Sequence, residues 1–432
     1  MAIGARLKDY ISMDHFTLRD GVLYCEDVPL PAIAAAVGTP VYVYSAATMV
    51  RHAHVFSQAL ASTGDPLIAF AVKANPNGAV LATLAREGLG ADVVSIGEYR
   101  RAIAAGIPPE RIVFSGVGKT ADEMATALTG GLLQFNLESV VEAEMMSGVA
   151  TDLGLTAPVA FRVNPDVDAR THKKISTGGA LSKFGVPISD AREAYAAARA
   201  LPNLAVQGVA VHIGSQLTDL APLDAAFEKV GALIHELRED GHVIRFADLG
   251  GGLGVPYDRD VPLPPGPEEY GAMVARITAD WDVRLIFEPG RLIVANAGVL
   301  LSEVVRVKPG VGDPFVVVDA AMNDLMRPSL YDAYHAIDPV TPHGGKMKAN
   351  VVGPVCESGD TFATGRRMGA VEAGDLVVFR TAGAYAATMA STYNSRPLTP
   401  EVMVSGGKFS VIRERQDIQA LIEADKLPEW LR

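Results

Sequence analysis

The chain contains 432 residues, of which 49% are hydrophobic and 20% are charged, and its formal net charge is -12. That length predicts more than one domain, and the composition excludes an intrinsically disordered chain. The acidic balance argues against nucleic acid and against a membrane surface as partners. Only two cysteines occur, Cys25 and Cys356, so the sequence predicts no disulfide framework and a cytoplasmic location.

No segment has the pattern of a leader peptide or of a membrane-spanning helix. Residues 1–10 lack an apolar core, and the longest uncharged stretch, residues 28–50, is broken by Pro29, Pro31 and a Gly-Thr-Pro turn. We therefore predict a soluble protein. The sequence predicts no metal site.

From about residue 66 onward, apolar segments typical of strands alternate with amphipathic helical patterns. Eight such β-then-α units favour a (β/α)8 TIM barrel over an open doubly wound sheet, so the predicted fold class is α/β. The eight strand segments are LIAFAVKAN (67–75), ADVVS (91–95), RIVFSG (111–116), LLQFNLES (132–139), APVAFRVNP (157–165), LAVQGVAVHIGS (204–215), VIRFADLGGG (243–252) and RLIFEPGR (284–291).

After Ala297 the pattern changes to apolar strand segments separated by Gly and Pro turns, with few helix signals. This pattern predicts a mainly antiparallel β-barrel or sandwich domain after the TIM barrel. We place the barrel at residues 38–298. Residues 1–37 and 299–432 are expected to form the second domain.

TIM-barrel enzymes place their reactive side chains at the C-terminal ends of the strands. Lys73 lies near the end of the first strand segment, which is otherwise apolar, and burial there would lower its pKa and favour the neutral amine that imine chemistry needs. A lone lysine at such a position is more often an ordinary surface residue. Ser115, Arg162 and His212 follow or end later strand segments.

The seventh and eighth strand segments each end in a turn that contains glycine. The run 250–252 consists of three glycines, and residues 288–291 read Glu-Pro-Gly-Arg. Free backbone N–H groups in such turns can converge on an anion, and TIM barrels often bind phosphate there. Each turn taken alone is also common as a purely structural feature.

Eight segments in order resemble the diaminopimelate decarboxylase family, within the alanine-racemase-like (fold type III) enzymes that use pyridoxal 5'-phosphate (PLP). They are distributed over most of the chain. The segments are FAVKAN (70–75), THKKISTGGALSKFG (171–185), HIGSQ (212–216), DLGGGLG (248–254), EPGR (288–291), DAAMNDLMRPSLYDAYH (319–335), GPVCESGD (353–360) and GAYAATMASTYNSRP (383–397).

The resemblance implies a PLP-binding barrel, a β domain, and a homodimer whose active sites are shared between the barrel of one subunit and the β domain of the other. Lys73 corresponds to the lysine that binds PLP covalently, and His212 to the imidazole stacked on its ring. The implied cofactor-binding residues are Lys73, His212, Ser215, Gly251, Gly252, Glu288, Gly290, Arg291 and Tyr385.

The resemblance also implies how the reaction is directed. Glu288 would face the ring nitrogen and deepen the electron sink, which favours a decarboxylase over a racemase. Cys356 would supply a proton to the reacting carbon. The implied substrate-binding residues are Arg291, Arg327, Tyr331, Glu357 and Tyr385.

Residues 172–185 contain three glycines and several basic residues, and we predict that they form a lid. Lys183 in this segment is a rival for the covalent bond to PLP, but a strand end holds a cofactor more rigidly than a loop does.

The predicted reaction converts meso-2,6-diaminopimelate to L-lysine and CO2, the last step of lysine synthesis. Alternatives of the same fold are a decarboxylase of ornithine, arginine or carboxynorspermidine, an amino-acid racemase, and a non-catalytic PLP-binding protein.

Overall fold

The computed structural model describes residues 13–169, 171–172, 175, 177–179, 182–258 and 260–431. The chain forms two compact units, which are described separately. The barrel unit comprises Val50–Val255 and Leu263–Ile293. The sheet unit comprises Met1–Met49, Pro256–Pro262 and Val294–Arg432.

The barrel unit contains eight parallel strands that close on themselves, because the last strand pairs with the first through Ile286 and Leu67. Each of the eight predicted strand segments overlaps one of these strands, so the predicted TIM barrel is confirmed. Only the second strand begins outside its segment, one residue earlier, at Gly90. The strands are Leu67–Ala71, Gly90–Val93, Ile112–Phe114, Gln134–Leu137, Ala157–Asn164, Leu204–Val211, Phe246–Asp248 and Arg284–Phe287.

Four of the helices between these strands begin at a side chain that caps them, namely Asn77, Ser95, Thr120 and Ser139. Thr120, for example, accepts a hydrogen bond from the backbone N–H of Glu123, whose carboxylate accepts one from the Thr120 N–H. Strands and helices alternate along the whole unit, as the sequence pattern predicted. The helices from residue 46 to residue 294 are Ala46–Ala59, Gly78–Arg86, Ile96–Ala104, Ala121–Thr129, Val140–Leu153, Ala191–Arg199, Ala221–Glu239, Pro267–Ile277 and Arg291–Val294.

The sheet unit is built on a mixed, mostly antiparallel sheet. Its central strand, Gly298–Lys308, pairs with three neighbours, Val41–Ser45, Phe315–Val318 and Leu376–Phe379. Three short helices, Leu30–Val37, Arg327–Tyr331 and Ile418–Ala424, accompany the strands. The strands of the main sheet are Val41–Ser45, Gly298–Lys308, Phe315–Val318, Ile337–Pro339, Lys346–Val352, Thr361–Gly369, Leu376–Phe379, Glu401–Ser405 and Lys408–Arg413.

One strand lies outside the unit in which the sequence placed it. The predicted barrel began at residue 38, but Val41–Ser45 pairs with Gly298–Lys308 and with Glu401–Ser405 in the sheet unit. All five of its residues are buried. A strand buried on both faces gives a continuous apolar pattern that suits either sheet, so the pattern did not reveal its partner.

A separate three-stranded sheet precedes this strand and consists of Phe16–Arg19, Val22–Cys25 and Val28–Pro29. Cys25 is fully buried in the apolar core beneath it, together with Leu301 and Val402, as expected for a structural cysteine. Among the residues that the structure describes, no helix has both the length and the hydropathy needed to cross a bilayer.

Candidate active site

Lys73 lies directly after the first barrel strand, in the short turn Val72–Ala74. Its Nζ donates a hydrogen bond of 2.6 Å to Oδ2 of Asp92, which belongs to the second strand. The Asp92 side chain is completely buried, whereas that of Lys73 is 36% exposed. A buried carboxylate requires a positively charged partner, so this ion pair fixes the lysine amino group at the mouth of the barrel strands.

Glu288 follows the eighth strand and is also buried. The Ser115 hydroxyl, at the end of the third strand, donates to its Oε1 over 3.3 Å. Burial raises the pKa of Glu288 well above its usual value, and the nearby carboxylates of Asp248 and Asp92 raise it further. Both effects favour the neutral acid form of Glu288.

Asp248 ends the seventh strand and completes a group of three carboxylates. Its Oδ2 accepts from Asn136 Nδ2 at 2.8 Å, and its Oδ1 accepts from the Gly250 N–H at 2.9 Å. Burial raises the pKa of Asp248 to about 6 despite these hydrogen bonds. The same Asn136 amide also donates to Ser115 at 3.1 Å, so one polar network connects four strand ends.

This network contains three buried carboxyl groups, those of Asp92, Asp248 and Glu288, that could pair with a cationic ligand. Lys73 forms an ion pair with Asp92, and its charge also acts on Glu288. One oxygen of Asp92, Oδ1, is buried without a hydrogen-bond partner among the described residues. The protonated ring nitrogen of PLP is a cation and its aldehyde reacts with an amine, so the residues present fit this cofactor.

His212 follows the sixth strand, and its imidazole is half-buried. The Gly251 N–H donates to its Nδ1 over 3.2 Å, so Nδ1 is an acceptor and the proton lies on Nε2. Burial, followed by the charges of Arg162 and Lys73, lowers the pKa of His212 well below its usual value. The ring is therefore neutral and can stack on a cationic pyridine ring without charge repulsion.

The glycine run after the seventh strand has a packing reason as well as a chemical one. A Cβ atom on Gly251 would lie 2.2 Å from the carbonyl oxygen of Glu288. One on Gly252, whose φ is +116°, would lie 2.5 Å from the carbonyl oxygen of Gly214. The run thus brings its backbone against the neighbouring strand ends, where its N–H groups can approach an anion.

Arg291 and Ser215 meet beside this run. The buried Arg291 side chain donates from one terminal nitrogen to Ser215 Oγ over 3.0 Å. Gly290, which is also buried, precedes Arg291 at the start of a single helical turn. A hydroxyl held by a guanidinium next to a glycine-rich turn is a suitable arrangement for phosphate or carboxylate.

Arg162, at the end of the fifth strand, connects His212 to the predicted lid. Its guanidinium donates to the His212 carbonyl at 3.1 Å and to Glu138 Oε1 at 3.2 Å. The other oxygen of Glu138 accepts from the Gly185 N–H at 2.6 Å, so this end of the segment is tied to the barrel.

Residues 173, 174, 176, 180 and 181 of the predicted lid lie outside the described residues. Lys183 is exposed, with its Nζ 5.1 Å from the centre of the Phe184 ring.

In the sheet unit, Arg327 begins the helix Arg327–Tyr331 and is almost fully buried. Its guanidinium contacts Tyr257 and His335. Tyr331, at the end of the same short helix, is half-buried. Tyr385 is also half-buried and adopts a left-handed backbone conformation with φ of +54°, an unusual conformation for a bulky residue that is often seen at functional sites.

Cys356 and Glu357 are exposed on a loop of the sheet unit. Asp360 organises this loop, because its carboxylate accepts from the N–H groups of Val355 at 2.6 Å and Met322 at 2.7 Å. A rigid loop therefore presents the thiol, which suits a group that must deliver a proton to one position.

The structure brings the predicted barrel residues Lys73, His212, Ser215, Glu288 and Arg291 to the same ends of the strands. The sequence reasoning did not single out Asp92, Asp248, Asn136 or Asp360. The signal for the first two was available, since each is an acidic residue within an otherwise apolar strand segment.

Comparisons with known proteins agree with this chemistry. Residues 46–295 match the family model described as "Pyridoxal-dependent decarboxylase, pyridoxal binding domain". The match spans more than half of the chain and includes all eight barrel strands. The fold and the site therefore define a PLP-dependent decarboxylase, as the sequence predicted.

Full-length relatives narrow this class. The chain is 58% identical to a diaminopimelate decarboxylase of Zymomonas mobilis, with 96% of this chain and 99% of that protein aligned. A crystal structure of diaminopimelate decarboxylase from M. jannaschii in complex with L-lysine superposes with a TM-score of 0.93, at 36% identity over 97% of this chain and 99% of that chain. The corresponding Helicobacter pylori complex gives 0.87, at 40% identity over 91% and 98%. The chain belongs to the diaminopimelate decarboxylase family.

Proposed function

We propose that this chain decarboxylates meso-2,6-diaminopimelate to L-lysine and CO2 with PLP bound at Lys73. The observation that carries the proposal is the buried group Asp92, Asp248 and Glu288 around Lys73. These carboxyl groups would favour a cationic ring, and Glu288 would help to keep its nitrogen protonated. A racemase of this fold type would place an arginine where Glu288 lies.

Bound PLP would accept the electron pair that remains on the substrate when CO2 leaves. The chain supplies the surroundings for that step. Lys73 would hold the cofactor covalently, and Glu288 would transfer its proton to, or share it with, the ring nitrogen. The neutral imidazole of His212 would cover one face of the ring. Ser215, Gly251, Gly252, Gly290 and Tyr385 would bind the phosphate group.

The substrate has two amino-acid centres, and only one of them loses CO2. Substrate recognition requires groups that bind the other, unreacted centre. Arg291 and Arg327 would bind its carboxylate, since a guanidinium matches a carboxylate with two parallel hydrogen bonds. Tyr331 and Tyr385 would contact the substrate beside them. Glu357 would accept the ammonium group of the same centre. A diamine-forming decarboxylase has no use for a carboxylate site at this position.

Cys356 would return a proton to the carbon that has lost CO2. Its exposure on a loop fixed by Asp360 supports this role, because a structural cysteine would be buried as Cys25 is.

A cytoplasmic homodimer is part of this proposal. The sheet unit of one subunit, with Cys356, Glu357 and Tyr385, would complete the site formed by the partner's barrel. Lys73→Ala and Cys356→Ala, each inactive alone, should regain part of the activity when mixed, because a mixed dimer keeps one intact site. Verified mixed dimers that remain inactive would contradict a shared site.

A substrate comparison tests the reaction itself. Release of CO2 should be measured from meso-diaminopimelate, lysine, ornithine and arginine, with and without added PLP. We expect PLP-dependent release from meso-diaminopimelate and one equivalent of L-lysine per CO2. Faster release from a substrate without a second carboxylate, or epimerisation without CO2, would overturn the proposal.

A further inference from the structure

Arg327 is held by two neutral side chains of the sheet unit. His335 is 2% exposed, and its Nδ1 lies 2.8 Å from the carbonyl oxygen of Arg380. A carbonyl oxygen only accepts hydrogen bonds, so Nδ1 carries the proton and Nε2 has the free electron pair. That Nε2 lies 3.1 Å from a terminal nitrogen of Arg327 and accepts its hydrogen bond.

Tyr257 provides the second contact. The Arg327 guanidinium carbon lies 4.5 Å from the centre of the Tyr257 ring, within the range of a cation–π interaction. The rings of Tyr257 and His335 meet edge to face, with 5.3 Å between their centres and an angle of 79°. Each of the three side chains therefore contacts the other two.

These two contacts orient the guanidinium without neutralising it. A neutral imidazole fixes the direction of one N–H group, and the aromatic ring fixes the plane. Neither contact supplies an opposite charge, so neither would compete with an anionic ligand for the guanidinium. A carboxylate partner at the same positions would instead compete with that ligand.

We propose that Tyr257 and His335 are specificity-determining positioning residues, which hold Arg327 for the carboxylate of the unreacted amino-acid centre of the substrate. This inference rests on the proposed function. It assigns the preference for a substrate with a second carboxylate to a three-residue cluster and not to Arg327 alone.

The test uses the holoenzyme and two ligands that differ by one carboxylate, L-lysine and cadaverine. Their dissociation constants are measured by calorimetry, together with kcat and KM for meso-diaminopimelate. Tyr257→Leu removes the aromatic face, and Tyr257→Phe keeps it as the matched control. His335→Leu removes the acceptor, and His335→Gln restores an amide oxygen that can accept.

We expect each Leu variant to raise the dissociation constant of L-lysine and the KM by about 3- to 30-fold, the range that a cation–π contact or a hydrogen bond to a charged group gives. The kcat should change much less, and cadaverine binding should be unchanged. Tyr257→Phe keeps the aromatic face, so it should retain most of the L-lysine affinity that Tyr257→Leu loses, and His335→Gln should recover part of the loss. Equal weakening of both ligands, or wild-type affinity for L-lysine in Tyr257→Leu, would overturn the inference.

The wild-type enzyme separates this inference from the proposed function. Absence of CO2 release from meso-diaminopimelate in the wild type would overturn the proposed function. An active wild type whose Tyr257→Leu variant keeps its L-lysine affinity would overturn only the role of the cluster. Tyr257 is half-buried, so its variants keep the test decisive if a change at the buried His335 prevents folding.

Discussion

The buried carboxylates predict how the stability of the apoenzyme depends on pH. Burial raises the pKa of Asp248 from 3.8 to about 6. Between these values the folded chain binds more protons at Asp248 than the unfolded chain does, so the contribution of Asp248 to the free energy of unfolding decreases as pH rises through this window and is constant above it. One pKa unit corresponds to about 1.4 kcal/mol, so the full effect is at most about 3 kcal/mol.

Asp248→Asn removes this titrating group, so the variant should lack the contribution of Asp248 to the pH dependence of the free energy of unfolding. From about pH 5 to the folded-state pKa of about 6, the wild type loses the stability that corresponds to roughly one pKa unit, about 1.4 kcal/mol. The variant does not lose it, so between about pH 5 and pH 7 its free energy of unfolding should rise relative to that of the wild type by this amount. For a domain of this size that difference corresponds to about 3–5 °C in the thermal midpoint.

The assay is thermal unfolding of both apoproteins, measured at several values between those two pH limits. Asp152→Asn is the control, because Asp152 is exposed on the helix Val140–Leu153. Its difference from the wild type should be nearly independent of pH. A flat difference for Asp248→Asn, or one that decreases with rising pH, would refute the argument that burial keeps this carboxyl protonated.

Two further substitutions test the packing of the site. Gly251→Ala places a methyl group 2.2 Å from the Glu288 carbonyl oxygen, so PLP affinity should fall by about tenfold or more. Gly148→Ala has open space around the new methyl, so unchanged PLP affinity and slightly higher stability are expected there. Asp360→Asn leaves one of two loop N–H groups without its carboxylate acceptor, so kcat should fall while PLP affinity stays the same. Wild-type kcat in that variant would argue against Cys356 acting from a fixed loop.

The sequence predicted the barrel well because its information is local. Each strand is a short apolar segment followed by a helical pattern, and seven of the eight strands lie within the predicted segments, the second beginning one residue early at Gly90. The strand Val41–Ser45 was assigned to the wrong unit because its partners, Gly298–Lys308 and Glu401–Ser405, are distant in the chain. No local pattern specifies which of two sheets a fully buried strand joins.

The site was predictable where a residue belongs to a motif, and hidden where its role depends on a partner. Lys73 and Glu288 stand in recognisable segments. The pairing of Asp92 with Lys73 joins neighbouring strands, and the contact of His335 with Arg327 depends on the turn that follows a short helix. Such contacts are set by tertiary packing, so spacing in the sequence does not reveal them.

The identity of the covalently bound lysine tests the central claim most directly. The holoenzyme should be treated with borohydride, which makes the bond between PLP and an amine permanent, and then digested and analysed by mass spectrometry. We predict one modified peptide, carrying PLP on Lys73, and no labelled peptide from Lys73→Ala. Labelling of Lys183, or a reducible PLP adduct that persists in Lys73→Ala, would contradict the site built around the first barrel strand.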